Sequence, residues 1–270
     1  MKTSFRVGKL RWLVVALYLT VAAARGARAE DVLFFGNSFT SANDIPKMVA
    51  TIAESKGKTA STMAVTKGGQ GWPYHLSKPA TDPALTSKPW QWVVLQDQSL
   101  NATHARADQK YDFLKFGQSF YDRVAEKAPT ANIVLYETWA YAARNKIFES
   151  SAEKPAQFAS PAEMFAEIQK NYGALGRTLQ AKGSQRRVLV APVGTAFANC
   201  VSQHPEIKIY ADDLKHPSIA GSYLSALVLY ATIFHDSPVG AAPGRKVDPK
   251  EAAVLQQVAA ETLKSLSVND

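Results

Sequence analysis

Apolar residues along this chain fall into two kinds of run that take turns from residue 31 almost to the C-terminus. Short stretches of strand length (31–36, 60–65, 92–96, 132–137 and 187–192) alternate with longer segments of helical period (45–55, 107–127, 161–181, 218–234 and 250–266). In the first stretch Val32, Leu33, Phe34 and Phe35 are consecutive, which is the pattern of a strand covered on both faces. Parallel neighbours need a crossover between them, and a helix is the usual crossover. The alternation therefore predicts an α/β fold, a three-layer α/β/α sandwich with a five-stranded, mainly parallel sheet. The last helix carries its own start signal: Asp248 to cap it, Pro249 for its first position and Glu251 near its positive end. Segments 68–88 and 142–160 show no clear period. Both follow predicted strands, where loops at the carboxyl edge build binding sites.

Residues 1–29 change how the composition is read. Lys2, Arg6, Lys9 and Arg11 form a basic start, Trp12 to Ala24 an apolar run, and Ala27-Arg28-Ala29 an A-x-A cleavage signal. This pattern predicts a cleaved export signal, and the apolar run is short for a membrane span of about 20 residues. The expected organisation is a signal peptide at 1–29, a single domain at 30–270 and a periplasmic or secreted location. Six of the 31 basic residues but none of the 23 acidic ones precede Glu30, so a formal charge of +8 becomes +2 without that segment. With the excess gone, and with no Lys/Arg cluster interleaved with aromatics, a nucleic-acid partner is not expected. Cys200 is the only cysteine, so an internal disulfide is excluded, and a buried, unreactive thiol is the expectation. No Cys/His spacing suggests a metal, and no nucleotide fingerprint is present, since Gly68-Gly69-Gln70-Gly71 is neither a Walker loop nor G-x-G-x-x-G. No cofactor is expected.

Two short segments hold the candidate chemistry. The first predicted strand runs into Gly36-Asn37-Ser38-Phe39, and Asp213-Leu214-Lys215-His216-Pro217 lies near the other end of the chain. A serine hydroxyl is a poor nucleophile at neutral pH. It needs an imidazole to take its proton and a carboxylate to fix the imidazole's tautomer. Ser38, His216 and Asp213 supply those three groups, and the spacing of the last two puts them on one turn ahead of a helix. The bland alternatives are that Ser38, Thr40 or Ser41 caps a helix and that Asp213 and His216 form a solvated turn. Thr40 stands where a G-x-S-x-G elbow would carry its final glycine, which argues against an α/β-hydrolase. The other histidines, His75, His104, His204 and His235, read as structural or solvated, although the Gly-rich loop that carries His75 should border the site. Trp72 and Trp139 are candidates for aromatic walls against a sugar ring or acyl group, with core packing as the alternative for each.

Gly36-Asn37-Ser38-Phe39, the Gly-rich turn at 67–72 and Asp213-x-x-His216 together resemble the SGNH hydrolases, also called the GDSL esterase/lipase superfamily, and more narrowly Gly36–Thr40, Leu95-Gln96-Asp97-Gln98-Ser99 and Ala191-Pro192-Val193-Gly194 resemble an exported subgroup of it. The resemblance spans 31 to about 234 and implies a flavodoxin-like sheet with Ser38 as nucleophile, His216 as general base and Asp213, rather than Asp212, as the orienting acid. It also implies three oxyanion donors: the backbone N–H groups of Ser38 and Gly69, with Gly68 or Gly71 as substitutes for the latter, and a side-chain amide after the third strand. The chain departs from the family there, since no Gly-x-Asn-Asp is present. Aligning the strands puts Gln98 at the asparagine position, with Gln96 as its competitor. The implied activity is cofactor-free hydrolysis of small esters, acetyl esters on carbohydrate being the expected substrates. Transfer of the acyl group to a sugar hydroxyl and silent carbohydrate binding remain the alternatives.

Overall fold

The computed structural model describes residues 29–103, 111–151, 155–183, 185–244 and 246–267. The export-signal reading, His104 and the first residues of the helix predicted at 107–127 lie outside the described residues. Five strands, β1 (Glu30–Gly36), β2 (Ala60–Thr66), β3 (Trp92–Leu95), β4 (Asn132–Tyr136) and β5 (Val188–Ala191), form one sheet in the order β2-β1-β3-β4-β5. Every neighbouring pair is parallel. Val32 to Phe35 have no exposed surface, as the unbroken apolar run requires of a strand covered on both sides.

The segment after β1 that bears Ser38 forms the short helix α1 (Ser38–Ser41). On one side of the sheet lie α2 (Ile45–Ser55), α7 (Val193–Gln203), α8 (Ile219–Phe234) and α9 (Pro249–Ser267), packed on one another. The other side carries α3 (Trp72–Leu76), α4 (Thr81–Thr86), α5 (Phe113–Lys127) and α6 (Pro161–Gln180). Every residue of α8 from Ala220 to Ile233 is buried, because the sheet, α2, α7 and α9 surround it, and this explains a helix that is apolar on all faces. Among the described residues no helix is long and apolar enough to cross a membrane. Asp248 caps α9 as expected, its carboxylate accepting the N–H groups of Lys250 at 2.8 Å and Glu251 at 3.2 Å.

Helices α3, α4 and α7 were not expected. The last is instructive, because its N-cap is Pro192, which has no capping side chain. The cap comes instead from Glu137 at the end of β4, whose Oε1 accepts the Thr195 N–H at 2.8 Å and the Thr195 hydroxyl at 2.9 Å.

Strand order reverses between β1 and β3, so the connections leaving these two strands diverge and open a crevice at their carboxyl ends. Phe35 pairs with Val65 and Leu95, and Leu95 with Leu135, so β1 to β4 end level with one another. Ser38, Gly69, Gln98 and Tyr141 follow β1, β2, β3 and β4 respectively and therefore emerge along one edge.

Candidate active site

At the end of β1 the chain turns directly into α1, and Asn37 organises the turn. Its Oδ1 caps α1 by accepting the Phe39 N–H at 3.0 Å, and its carbonyl accepts the N–H groups of Thr40 and Ser41. Ser38 is thus the first residue of the helix rather than its cap. The Ser38 N–H has no acceptor among the described residues, as expected for a first-turn amide. Gln96 braces the turn from below: its buried Oε1 accepts the Asn37 N–H at 2.9 Å and the Thr40 hydroxyl at 2.8 Å.

The turn 211–216 delivers the imidazole. His216 Nε2 lies 2.7 Å from Ser38 Oγ across 178 positions of sequence. Its Nδ1 is hydrogen-bonded to Asp213 Oδ2. Asp213 Oδ1 accepts the backbone N–H groups of His216 at 2.9 Å and Lys215 at 3.1 Å. Burial works to raise the Asp213 carboxyl, but the bonds from the His216 ring and from these two amides outweigh it and hold the group below its ordinary value. An acid that stays charged beside Nδ1 keeps the proton on that nitrogen, which leaves Nε2 free to accept.

Contacts from elsewhere fix the base turn. The Trp139 indole N–H donates to the Lys215 carbonyl at 3.0 Å, and the Ala142 N–H to the Leu214 carbonyl at 2.9 Å. Leu214 sits at φ +62°, a left-handed conformation that a leucine adopts only when its surroundings impose it. Asn43, just after α1, donates from Nδ2 to the Ser218 carbonyl at 3.2 Å and to Ser222 Oγ at 2.9 Å, tying the nucleophile segment to residues just past the base. Phe39 meets the His216 ring edge-on, with centroids 5.3 Å apart.

Asn37, Ser38, Phe39, Gly69, Gln98, Ser99, Tyr141, Lys215 and His216 line a crevice of about 180 Å³. The structure thus brings together all three expected oxyanion donors. Gly69 is exposed at φ +70°, which suits glycine, and its N–H has no acceptor among the described residues. The Asn37 side chain holds this loop by donating to the Gln70 carbonyl at 2.8 Å. The two glutamines are placed differently: Gln96 is wholly buried under the turn, whereas Gln98 lines the crevice. Gln98 Oε1 accepts the Leu100 N–H at 2.8 Å, and its N–H₂ end has no acceptor among the described residues.

Both tryptophan expectations need correction. Trp72 has no exposed surface and packs against Phe113 at 5.0 Å. Trp139, equally buried, is stacked between Phe39 at 4.5 Å and Phe197 at 4.2 Å. Neither ring lines the crevice beside Ser38 and His216, and the Trp139 indole instead bonds the turn that carries His216. His75 is also withdrawn from the crevice: it is buried, its Nε2 lies 2.9 Å from the Gly36 carbonyl, and desolvation lowers its pKa. Cys200 is buried, and desolvation pushes its thiol up to about 11, which makes it inert. Tyr141, whose hydroxyl pairs with Ser99 Oγ at 2.9 Å, is a crevice residue that the sequence did not single out. A larger, mostly apolar cavity of about 720 Å³ lies behind the base turn, but neither Ser38 nor His216 lines it, so it is not where a bond would be cleaved.

No protein-family profile and no curated protein matches the chain. Solved structures do. A protein of Slackia heliotrinireducens described as an SGNH hydrolase is 26% identical over 76% of this chain and 100% of its own, with a TM-score of 0.60. A DUF4886 family protein from Bacteroides uniformis is 16% identical over 88% and 95%, with a TM-score of 0.69. A family 3 carbohydrate esterase from Clostridium thermocellum shares the fold at 9% identity over 77% and 96%, with a TM-score of 0.53.

Proposed function

Because this chain belongs to the SGNH/GDSL hydrolase superfamily, we propose that it is a serine esterase that cleaves small acyl esters, acetyl esters foremost, through an acyl-Ser38 intermediate. The observation that carries this reading is the continuous hydrogen-bonded line from Asp213 through His216 to Ser38, opening on the crevice. Ser38 Oγ attacks the ester carbonyl while His216 Nε2 takes its proton. The negative oxygen of the tetrahedral intermediate is met by the Ser38 and Gly69 N–H groups and by the Gln98 amide. As the intermediate collapses, the C–O bond to the alcohol breaks and His216 returns the proton to the departing oxygen. Water then attacks the acyl-serine with His216 again as base, releasing the acid and restoring the hydroxyl.

Crevice size supports the small acyl group. About 180 Å³ is well under the roughly 300–1,000 Å³ of pockets that enclose drug-sized ligands. The proposal extends to carbohydrate as the alcohol and to work outside the cytoplasm, which rests on the export pattern of residues 1–29. The test is hydrolysis of p-nitrophenyl acetate, butyrate and octanoate by wild type and Ser38→Ala. The expected result is kcat/KM falling at least tenfold from acetate to octanoate, with every activity lost in the variant. Turnover that survives Ser38→Ala would overturn the mechanism, and a preference for octanoate would overturn the substrate class.

A further inference from the structure

Asp97, the second residue after β3, has no exposed surface. A carboxylate in that position must be satisfied by the protein. Oδ1 accepts the Trp72 N–H at 3.0 Å, the Gln98 N–H at 2.8 Å and Asn101 Nδ2 at 2.9 Å, and Oδ2 accepts the Tyr111 hydroxyl at 2.5 Å. Burial raises this carboxyl to about 6, while those same hydrogen bonds pull it back toward the charged form.

Two of the four partners belong to segments that carry the oxyanion donors. Trp72 is three residues beyond Gly69, and Gln98 is itself a donor. These segments leave β2 and β3, which flank β1 and share no hydrogen bond in the sheet, so strand pairing between them cannot set the separation of Gly69 from Gln98. The contact is close enough that a Cβ built on Gly71 would lie 2.3 Å from Asp97 Oδ1 and 2.5 Å from Asn101 Nδ2. From the opposite side Asn37 holds Gln70. The residues just beyond Gly69 are thereby fastened at two points, Gln70 to the turn that bears Ser38 and Trp72 to the β3 loop.

We propose that Asp97 is a positioning residue for the oxyanion hole, one buried carboxylate that holds the Gly69 and Gln98 donors at a fixed distance around Ser38. It is absent from the crevice lining and acts through Trp72, Gly71 and the Gln98 backbone. The inference rests on the esterase reading. Two substitutions separate positioning from general support of the fold. Asp97→Asn keeps an oxygen for the three N–H donors on Oδ1, and the Tyr111 hydroxyl can turn to accept from the new amide. Asp97→Ala removes the clamp.

With p-nitrophenyl acetate, Asp97→Ala should lower kcat at least about 30-fold, approaching the 10²–10³ that a single oxyanion donor is worth. KM should stay within about threefold, and the acid limb of kcat/KM should not move, because the triad is untouched. Asp97→Asn should recover to within about fivefold of wild type. If Asp97→Ala does not fold, Gly71→Ala, which drives a methyl group between the loop and the carboxylate, should show the same kcat-selective loss. A folded Asp97→Ala or Gly71→Ala with kcat within threefold of wild type overturns the proposal, as does an Asp97→Asn variant as impaired as Asp97→Ala. Wild-type protein that turns over no ester overturns the esterase reading and this inference with it. Active wild type beside an unimpaired Asp97→Ala overturns the inference alone.

Discussion

The Trp139 indole N–H donates to the carbonyl of Lys215, the residue just before His216, at a distance of 3.0 Å. A buried aromatic stack thereby reaches the base turn through one directional bond, and stacking and bonding can be separated by substitution. Trp139→Phe keeps an aromatic ring between Phe39 and Phe197 but deletes the donor. The lost bond should cost about 0.5–1.5 kcal/mol of stability. We expect kcat to fall roughly three- to tenfold as His216 loses its fixed position, a modest case of the loss that misplacing a catalytic group can bring. Steady-state kinetics beside thermal unfolding checks this. Unchanged kcat with a lower Tm would reduce Trp139 to packing.

Gln98 and Gln96 should part company when each becomes alanine. Gln98→Ala removes the proposed oxyanion amide, and kcat should drop roughly 10²- to 10³-fold, with about 0.5–2 kcal/mol of stability lost with the bond to the Leu100 N–H. Gln96→Ala strips the acceptor from the buried Asn37 N–H and Thr40 hydroxyl, which should cost about 1–3 kcal/mol per unsatisfied group. Kinetics and denaturant unfolding of both variants decide the assignment. A catalytic loss confined to Gln96→Ala would reverse it.

Asp213 is held below its ordinary carboxylate pKa, so it stays charged throughout the range in which an imidazole can act as base. Asp213 should therefore add no proton to the acid limb of kcat/KM. Asp213→Asn should lose roughly 10³- to 10⁴-fold in kcat, because an amide no longer fixes the tautomer or stabilises the imidazolium. The pH–rate profile of wild type and the kcat of the variant test the two halves of this statement. An acid limb steeper in wild type than in Asp213→Asn contradicts the first, and near-wild-type kcat contradicts the second.

Glu137 gives a pH dependence of stability with the opposite sign from the usual carboxylate. Burial pushes it up to about 7, against the hydrogen bonds from Thr195 that favour the charged form. The folded state therefore binds more protons than the unfolded state between roughly pH 4.5 and 7, and stability falls as pH rises through that window. Asp97, raised to about 6, adds to the slope over its lower part. Glu137→Gln keeps an oxygen to cap α7 but cannot ionise. Its Tm should fall less than that of wild type between pH 4.5 and 7.5, and equal slopes would show that Glu137 does not titrate in this way.

Legibility in the sequence followed the range of the interactions involved. Strands β1, β3 and β4 were readable because a strand covered on both faces needs an unbroken apolar run, and α9 because Asp248 and Pro249 are its neighbours in sequence. Helix α7 was not, since its cap is Glu137, more than 50 residues earlier. Ser38, His216 and Asp213 were readable as residue types in a familiar order, and Gly69 and Gln98 as positions implied by resemblance. Their supports were not. Asn43, Asp97 and the Trp139 indole act by contacts between segments far apart in the chain, which no local pattern encodes. Trp72 and Trp139 misled for the same reason, because an aromatic residue beside a site-forming loop looks alike in sequence whether its ring faces the substrate or the core.

Everything catalytic in this account depends on Ser38 being activated by His216. The most direct measurement is the rate at which a fluorophosphonate labels the protein, with the modified residue located by mass spectrometry, in wild type and in His216→Ala at neutral pH. A single label on Ser38 is expected in wild type, formed at least roughly 100 times faster than in the variant. Labelling elsewhere, or at the same rate without the imidazole, would contradict it.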